Sequence, residues 1–455
     1  MEEYVVGYFG DERLKKSGEF FSRMMLEKQT VCLRQLGGNR AGEMKLGRWL
    51  SNEQVIHHEL IENITLKGIA STKGRHILAI QDTTEINYQA HAGRITGGLG
   101  SVGNGKDLGF FMHPMLLVDA ELETCLGLGS IKTWVRTTQA RVDYPKQLIE
   151  EKESFRWLEA AEQTKNNLTE VAKLTIIADR ESDIYEEWDR IPDQKTYMIT
   201  RCCRDRKLST GTKLYSYVKN LEISGVYEFE VKARAGKRSA HKARLEIRFG
   251  EIEIKRPKSC SDKNAAKSVK LYVVDVKECE DTVVGNEEPI HWCLLTTHEV
   301  KTKEDALQIV KWYCLRWNIE QLFRTLKKQG LDIESSQVEN GESLIKLGLL
   351  ALFIAVKTMQ LTMARSGKEQ PVTAVFNEIE CKVLSAVLPK LEGKTKKQKN
   401  PHQVGQLSWA SWIIGRLGGW KGYKSESPPG PITMLRGLKK FQSLLEGYLL
   451  AELCA

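Results

Sequence analysis

The sequence predicts a mixed α/β fold that carries an inserted antiparallel β region and is flanked by helical regions at both ends. Three observations lead there. Two short apolar runs, residues 77–80 and 174–178, each stop at an acidic cluster, Asp82-Thr83-Thr84 and Asp179-Arg180-Glu181-Ser182-Asp183. Such runs, alternating with helical patterns, are what buried strands of a sheet covered on both faces look like. Residues 201–290 switch to period-two alternation. Residues 313–328, YCLRWNIEQLFRTLKK, contain no Gly or Pro and are rich in Leu, Arg, Lys, Glu and Gln, which marks a helix.

Taken in order, residues 1–70 are helical and polar, with segments at 13–28 and 54–64 separated by the Gly37-Gly38-Asn39 turn. Arg13, Lys15, Lys16, Arg23, Arg34, Arg40, Lys45 and Arg48 make them basic, which suits either a helical DNA-binding domain or a solvated cap. Next come the first acid-terminated strand, a Gly-rich loop at 93–105 and a second apolar run at 115–118. An amphipathic helix is expected over 148–165. After the second acid-terminated strand, Ser182 or Asp183 can cap a helix continuing through Tyr185 and Trp188. Three alternating strands come after it, around Val226–Tyr227–Phe229–Val231, Leu245–Ile247–Phe249 and Leu271–Val273–Val276. Basic turns lie between them, one spanning Arg234 to Arg238 and another at 258–267. The charge of these turns fits either protection of sheet edges or phosphate contact. The sheet resumes at 290–297, with Trp292 inside it. A long apolar helix over 343–363, a basic linker at 394–399 and a helical region over 408–453 complete the chain. The resulting boundaries are 1–70, 71–370 with the β insertion at 201–290, and 371–455.

The composition narrows the class. The 455 residues suffice for two or three domains, and 41% hydrophobic with 28% charged residues describes an ordinary globular chain. A formal net charge of +9 leans towards a polyanionic partner. Ten cysteines with no CxxC pair point away from zinc sites and disulfide frameworks, and towards a reducing cytoplasm. No stretch reads as a signal peptide, and the apolar run at 347–356 lies between Lys346 and Lys357, too short to span a bilayer. No membrane partner is expected.

On a helical wheel at about 100° per residue, Tyr313, Arg316, Glu320 and Lys327 fall within about 60° of one another. Arg324 and Trp317 lie beside them, and Leu315, Ile319, Leu322, Phe323 and Leu326 form a separate apolar arc. One carboxylate thus stands among cations and aromatics, next to a face built to be buried. On an arbitrary helix this would be a solvated, salt-bridged face. Asp82 and Asp179, each ending an apolar strand, give it another meaning. Three carboxylates in such settings suit hard divalent cations, which take carboxylate, water and phosphate oxygens.

Asp82-Thr83-Thr84, Asp179-Arg180-Glu181-Ser182-Asp183 and Tyr313–Arg316–Glu320–Lys327 together resemble the DDE transposases of bacterial insertion sequences. The likeness is to the insertion-sequence-four family, whose cut-and-paste group carries a Y-x2-R-x3-E-x6-K signature matched here at every spacing. Weaker matches are Gly10-Asp11-Glu12-Arg13, the strand around Trp292 and Leu417-Gly418-Gly419-Trp420. The resemblance covers nearly the whole chain. It implies a ribonuclease-H-like core with a β insertion between the second Asp and the Glu. Little sequence precedes Gly10, so the N-terminal helix is expected to be shortened.

The resemblance also implies roles. Asp82, Asp179 and Glu320 would hold two Mg²⁺ or Mn²⁺ ions. Water would cut one strand at the element's end, and the freed 3′-OH would form a hairpin and later attack target DNA. Tyr313, Arg316 and Lys327 would grip phosphates, with Arg324 and Arg180 as further DNA contacts, and Trp292 would receive a flipped base. The expectation is a DNA transposase of the bacterial cytoplasm. It would bind terminal inverted repeats through residues 1–70 and act as a homodimer through residues 371–455. The alternatives are a catalytically silent DNA-binding regulator of transposition and a host nuclease on the same fold.

Overall fold

The computed structural model describes residues 7–136, 147–233, 236, 238–328, 330–367, 369–423 and 426–454. Of the basic turn expected from Arg234 to Arg238, Arg234, Ala235 and Lys237 lie outside these. Four helices come first, α1 (Glu12–Lys28), α2 (Leu33–Gly37), α3 (Arg40–Ser51) and α4 (His57–Ala70). Strands β1 (His76–Gln81), β2 (Thr84–Asn87), β3 (Gly100–Val102), β4 (Asp107–Asp119) and β5 (Cys125–Trp134) come second. Then come α5 (Phe155–Asn167), β6 (Lys173–Ala178), α6 (Tyr185–Arg190), β7 (Thr196–Arg201) and α7 (Leu214–Lys219). Next are β8 (Gly225–Val231), β9 (His241–Lys255), β10 (Ser268–Glu278) and β11 (His291–Thr296). The remaining helices are α8 (Lys303–Cys314), α9 (Trp317–Leu326), α10 (Gly341–Ala364), α11 (Glu378–Leu391), α12 (Leu407–Leu417) and α13 (Pro431–Cys454).

The chain divides into two compact units. The first comprises Met1–Arg75, Thr83–Gln139 and Asn318–Ala455, and the second His76–Asp82 and Ala140–Trp317.

The first unit is built around α10. It is 24 residues long and its most apolar 18-residue window has a mean hydropathy of 1.8, which by length and composition would let it cross a bilayer. The apolar run that is too short by itself is therefore the middle of a longer helix, and that helix is buried through most of its length. It packs against β5, α3, α4, α12 and α13. The charge of Lys346 is accommodated where α3 ends: its Nζ donates to the carbonyls of Leu50 (3.0 Å) and Asn52 (2.9 Å). Strand β4 pairs antiparallel with β2, β3 and β5. Asp11, in the Gly10-to-Arg13 motif, caps α1 by accepting from the Arg13 amide at 2.7 Å, an ordinary N-cap.

Helix α4 crosses β5 at two glycines. A Cβ on Gly68 would lie 2.9 Å from the Leu128 backbone nitrogen, and one on Gly127, whose φ is +142°, would lie 2.7 Å from Gly68 Cα.

In the second unit β1, β6 and β7 are parallel neighbours, and β11, β10, β9 and β8 extend the sheet antiparallel from β7. The alternating stretch therefore continues the sheet that holds the acid-terminated strands. Ile77–Ile80 and Leu174–Ala178 are fully or almost fully buried, which explains their unbroken apolar character. Trp157 and Leu158 of α5 pack on Ala178 and Ile184. The helix expected from 148 is preceded by a 3₁₀ turn, Ile149–Glu151, and starts only at Phe155. Neither Ser182 nor Asp183 caps α6: its N-cap is Ile184, and both polar side chains bind elsewhere. Asp183 accepts from Arg206 Nε (3.0 Å) and from the amides of Cys203 (2.8 Å) and Arg204 (3.0 Å).

The helix crossing sets a test in which one substitution has two signs. Gly68→Ala should destabilise by about 1–3 kcal/mol through overpacking against β5. Gly447→Ala in α13, where a Cβ meets open space, should stabilise by up to about 1 kcal/mol. Calorimetric unfolding of both variants checks this, and a gain at Gly68 would contradict the close crossing.

Candidate active site

The parallel ladder determines which strand ends meet. Ile80 pairs with Ile177, and Ala178 pairs with Thr200. Continuing the first register by two residues and the second by one puts Asp82 opposite Asp179, and Asp179 opposite Arg201. Neighbouring strands lie roughly 4.8 Å apart. An acid–acid–base row therefore crosses three carboxyl-terminal strand ends.

Strand β1 and the chain after α8 bring in the next residues. The Arg316 guanidinium pairs with Asp82 (Nη1 to Oδ2, 3.2 Å), with side-chain exposures of 9% and 19%. Asp179 accepts from the Glu181 amide at 2.8 Å. Tyr313 is buried with its hydroxyl among Arg316, Arg201 and the Asp179 carboxylate, and burial holds its pKa above the usual tyrosine value. Burial also lowers the pKa of Arg201, and the neighbouring Arg180 and Arg316 add to that. Trp292 is half-buried, edge-on to Phe229 (centroids 5.6 Å apart) and tilted against Tyr313 (6.3 Å). Arg180 is exposed and lines a cavity of about 610 Å³ with Arg201, Lys219, Arg248, Lys277 and His291.

The signature helix is not continuous. Helix α8 ends at Cys314, and the amides of Leu315 and Arg316 bond to carbonyls three residues back, Trp312 (3.1 Å) and Tyr313 (3.0 Å). This tightened turn precedes α9. Tyr313 therefore belongs to α8, Arg316 to the turn and Glu320 to α9, in place of the single helix expected over 313–328.

In the first unit, Glu320 lines a cavity of about 430 Å³ with Thr84, Phe323, Arg324, Lys327 and Lys328. Arg324 is exposed, whereas Lys327 Nζ donates to the Glu85 carbonyl (2.8 Å) and pairs with Glu334 (3.1 Å). Thr83, the residue after Asp82, lies 2.8 Å from His113 (Oγ1 to Nδ1). The second unit thus gathers Asp82, Asp179, Tyr313 and Arg316, with Trp292 against Tyr313. The first unit gathers Glu320, Arg324 and Lys327.

Paired carboxylates at strand ends are the donor chemistry that hard divalent cations take. Among the described residues, however, no three or more His, Cys, Asp or Glu are gathered closely enough to hold an ion.

Two neighbours were missed in the sequence. Arg201 could have been found, because it ends the run 196–200 as the aspartates end theirs. Glu187 could not. It lies in the first turn of α6, fully buried, and accepts from Gln81 Nε2 (2.9 Å) and from the Ser182 hydroxyl. Burial pushes its carboxyl up to about 8.

Residues 138–356, a little under half of the chain, match the family model described as "Transposase DDE domain". This segment resembles a DDE transposase domain. It includes Asp179, Arg180, Trp292, Tyr313, Arg316, Glu320, Arg324 and Lys327, while Asp82 precedes it. A solved piggyBac transposase synaptic complex with hairpin DNA is similar at a TM-score of 0.34 and 8% identity, over 84% of this chain and 55% of that one. The chain thus spans about half the length of that transposase, and a likeness this weak fixes no detail of chemistry.

Glu187 gives a pH prediction. From the ordinary value of 4.5 up to about 8, the folded chain keeps a proton that the unfolded chain has released. Stability from this group therefore falls as pH rises through that window. Measured against wild type, Glu187→Gln should gain thermal midpoint steadily from about pH 5 to about pH 8.5. A difference independent of pH would show that Glu187 carries no such proton.

Proposed function

We propose that the chain is a DNA transposase that binds the terminal inverted repeats of its element, cuts it out and joins it to target DNA. The observation that supports this most is the parallel β1–β6 register, Ile80 opposite Ile177, whose continuation by two residues brings Asp82 opposite Asp179. The Tyr313–Arg316–Glu320–Lys327 spacing and the family match across 138–356 add to it. In this reading the core is ribonuclease-H-like. Residues 1–70 recognise the ends, residues 371–455 pair two copies, and the protein works in a bacterial cytoplasm.

Asp82, Asp179 and Glu320 would hold Mg²⁺ or Mn²⁺, two ions per site. When bound, such ions activate an attacking oxygen and stabilise a leaving one in an in-line phosphoryl displacement. The chain's own groups orient the DNA. Arg316 serves Asp82 through Nη1, and a planar, permanently charged guanidinium is the group that suits a phosphate oxygen. Tyr313 and Arg201 fix that guanidinium's surroundings and add hydrogen-bond donors for the scissile phosphate. Arg324, Lys327 and Arg180 carry charge that suits flanking phosphates. Trp292 offers a partly open indole face for an unstacked base when a hairpin forms.

Two experiments test this. Asp82→Asn, Asp179→Asn and Glu320→Gln should each abolish cleavage of end DNA while leaving its binding intact, because amides keep the shape and lose the charge that holds the ions. Omitting divalent ions should do the same to the wild type. An amide variant that nicks at the wild-type rate would remove its residue from the site.

Trp292→Ala should spare the first nick and slow hairpin formation. Base–aromatic stacking is worth about 1–3 kcal/mol, so the loss should be roughly 5- to 150-fold, with Trp292→Phe intermediate. If Trp292 serves only to pack against Phe229 and Tyr313, nicking, binding and thermal midpoint will fall together. Parallel losses would end the flipped-base role.

A further inference from the structure

The two aspartates follow the ends of separate strands, and holding one ion between them needs their carboxylates fixed to a fraction of an ångström. Ladder hydrogen bonds end with the strands, at Gln81 and Ala178. Past those two residues, side-chain hydrogen bonds must hold the backbone in place.

On the β6 side the fixing is visible in two places. Asp183 is buried and tied to Arg206 and to the amides of Cys203 and Arg204, which anchors the turn after Asp179 to the chain following β7. Ser182, also fully buried, donates to one oxygen of Glu187. The other Glu187 oxygen accepts from the buried amide of Gln81, at 2.9 Å. Gln81 is the residue before Asp82, and Ser182 is the third after Asp179. One carboxyl group therefore reaches both strand ends.

The chemistry suits that task. A carboxyl is the short side chain that presents two acceptor oxygens in one plane, so it can take a donor from each strand. Burying it is costly, and an apolar side chain would fill the same space without that cost. Its raised pKa means that the cost is lessened by keeping a proton near neutral pH, which leaves both hydrogen bonds in place.

We propose that Glu187 is a positioning residue which, by clasping Gln81 and Ser182, sets the separation and orientation of Asp82 and Asp179 for a divalent cation. This rests on the reading of those aspartates as metal holders. Glu187 itself touches neither ion nor DNA. Groups that hold metal ligands in place typically matter 10- to 100-fold for affinity, roughly speaking.

The test titrates Mn²⁺ into the full-length protein without DNA, by electron paramagnetic resonance, beside a melting curve for each variant. Glu187→Gln can still accept from Gln81 and meet Ser182, and should bind Mn²⁺ within about twofold of wild type. Glu187→Met has similar length but no acceptors, and should bind about tenfold more weakly or worse. Ser182→Ala removes one arm with little change in volume and should weaken binding by an intermediate factor. That variant decides the matter if Glu187→Met fails to fold.

Folded Glu187→Met and Ser182→Ala proteins with wild-type Mn²⁺ affinity would overturn the proposal and reduce Glu187 to an ordinary buried group. Wild-type protein whose Mn²⁺ binding is indifferent to Asp82→Asn and Asp179→Asn would overturn the metal reading, and this inference with it. The two failures are therefore distinct.

Discussion

The site in the second unit depends on the parallel pairing of β1 with β6. Both strands are buried along almost their whole length and pair in one register, from His76 opposite Lys173 to Ile80 opposite Ile177. That pairing aligns two carboxylates that lie almost a hundred positions apart in the chain. The third parallel strand, β7, extends the row with Arg201, and Arg316 returns from α8 to neutralise Asp82. Like charges at neighbouring strand ends repel, and the surrounding guanidinium groups offset that repulsion.

Much of this was legible in the residues. The strands announced themselves by short apolar runs ended by acids, and Trp157 and Leu158 mark the apolar side of the intervening helix. The alternating strands β8, β9 and β10 lie where the period-two pattern put them. Other features were not legible. Nothing in the helix-forming stretch 313–328 signals the turn at Leu315 and Arg316, because no Gly or Pro marks it. Intrinsic propensity favoured one helix, and the geometry around Arg316 gave two. The cap expected at Ser182 or Asp183 failed for a related reason: the Ser182 hydroxyl is taken by the Glu187 side chain, and Asp183 is taken by Arg206 and the amides of Cys203 and Arg204.

Glu187 shows the limit of reading sequence by motif. It stands among Glu186, Asp189 and Arg190 in a short polar helix, where surface exposure is the natural assumption. Its burial comes from packing against β1, a strand more than a hundred residues away, and no local pattern carries that information. Lys346 is a parallel case. Its charge interrupts an apolar helix, yet its ammonium is held by two backbone carbonyls at and just after the end of α3.

The β1–β6 ladder also bears on how such a chain can change over generations. Side chains alternate faces along a strand, so inserting or deleting a single residue between His76 and Asp82 would swing the terminal carboxylate to the opposite face of the sheet. No compensating substitution could restore it without shifting the whole buried strand. Surface connections that leave the β1–β6 register untouched bear no such constraint and can grow or shrink residue by residue. Descendants of this sequence should therefore vary in overall length while the distance from the start of β1 to its aspartate stays constant.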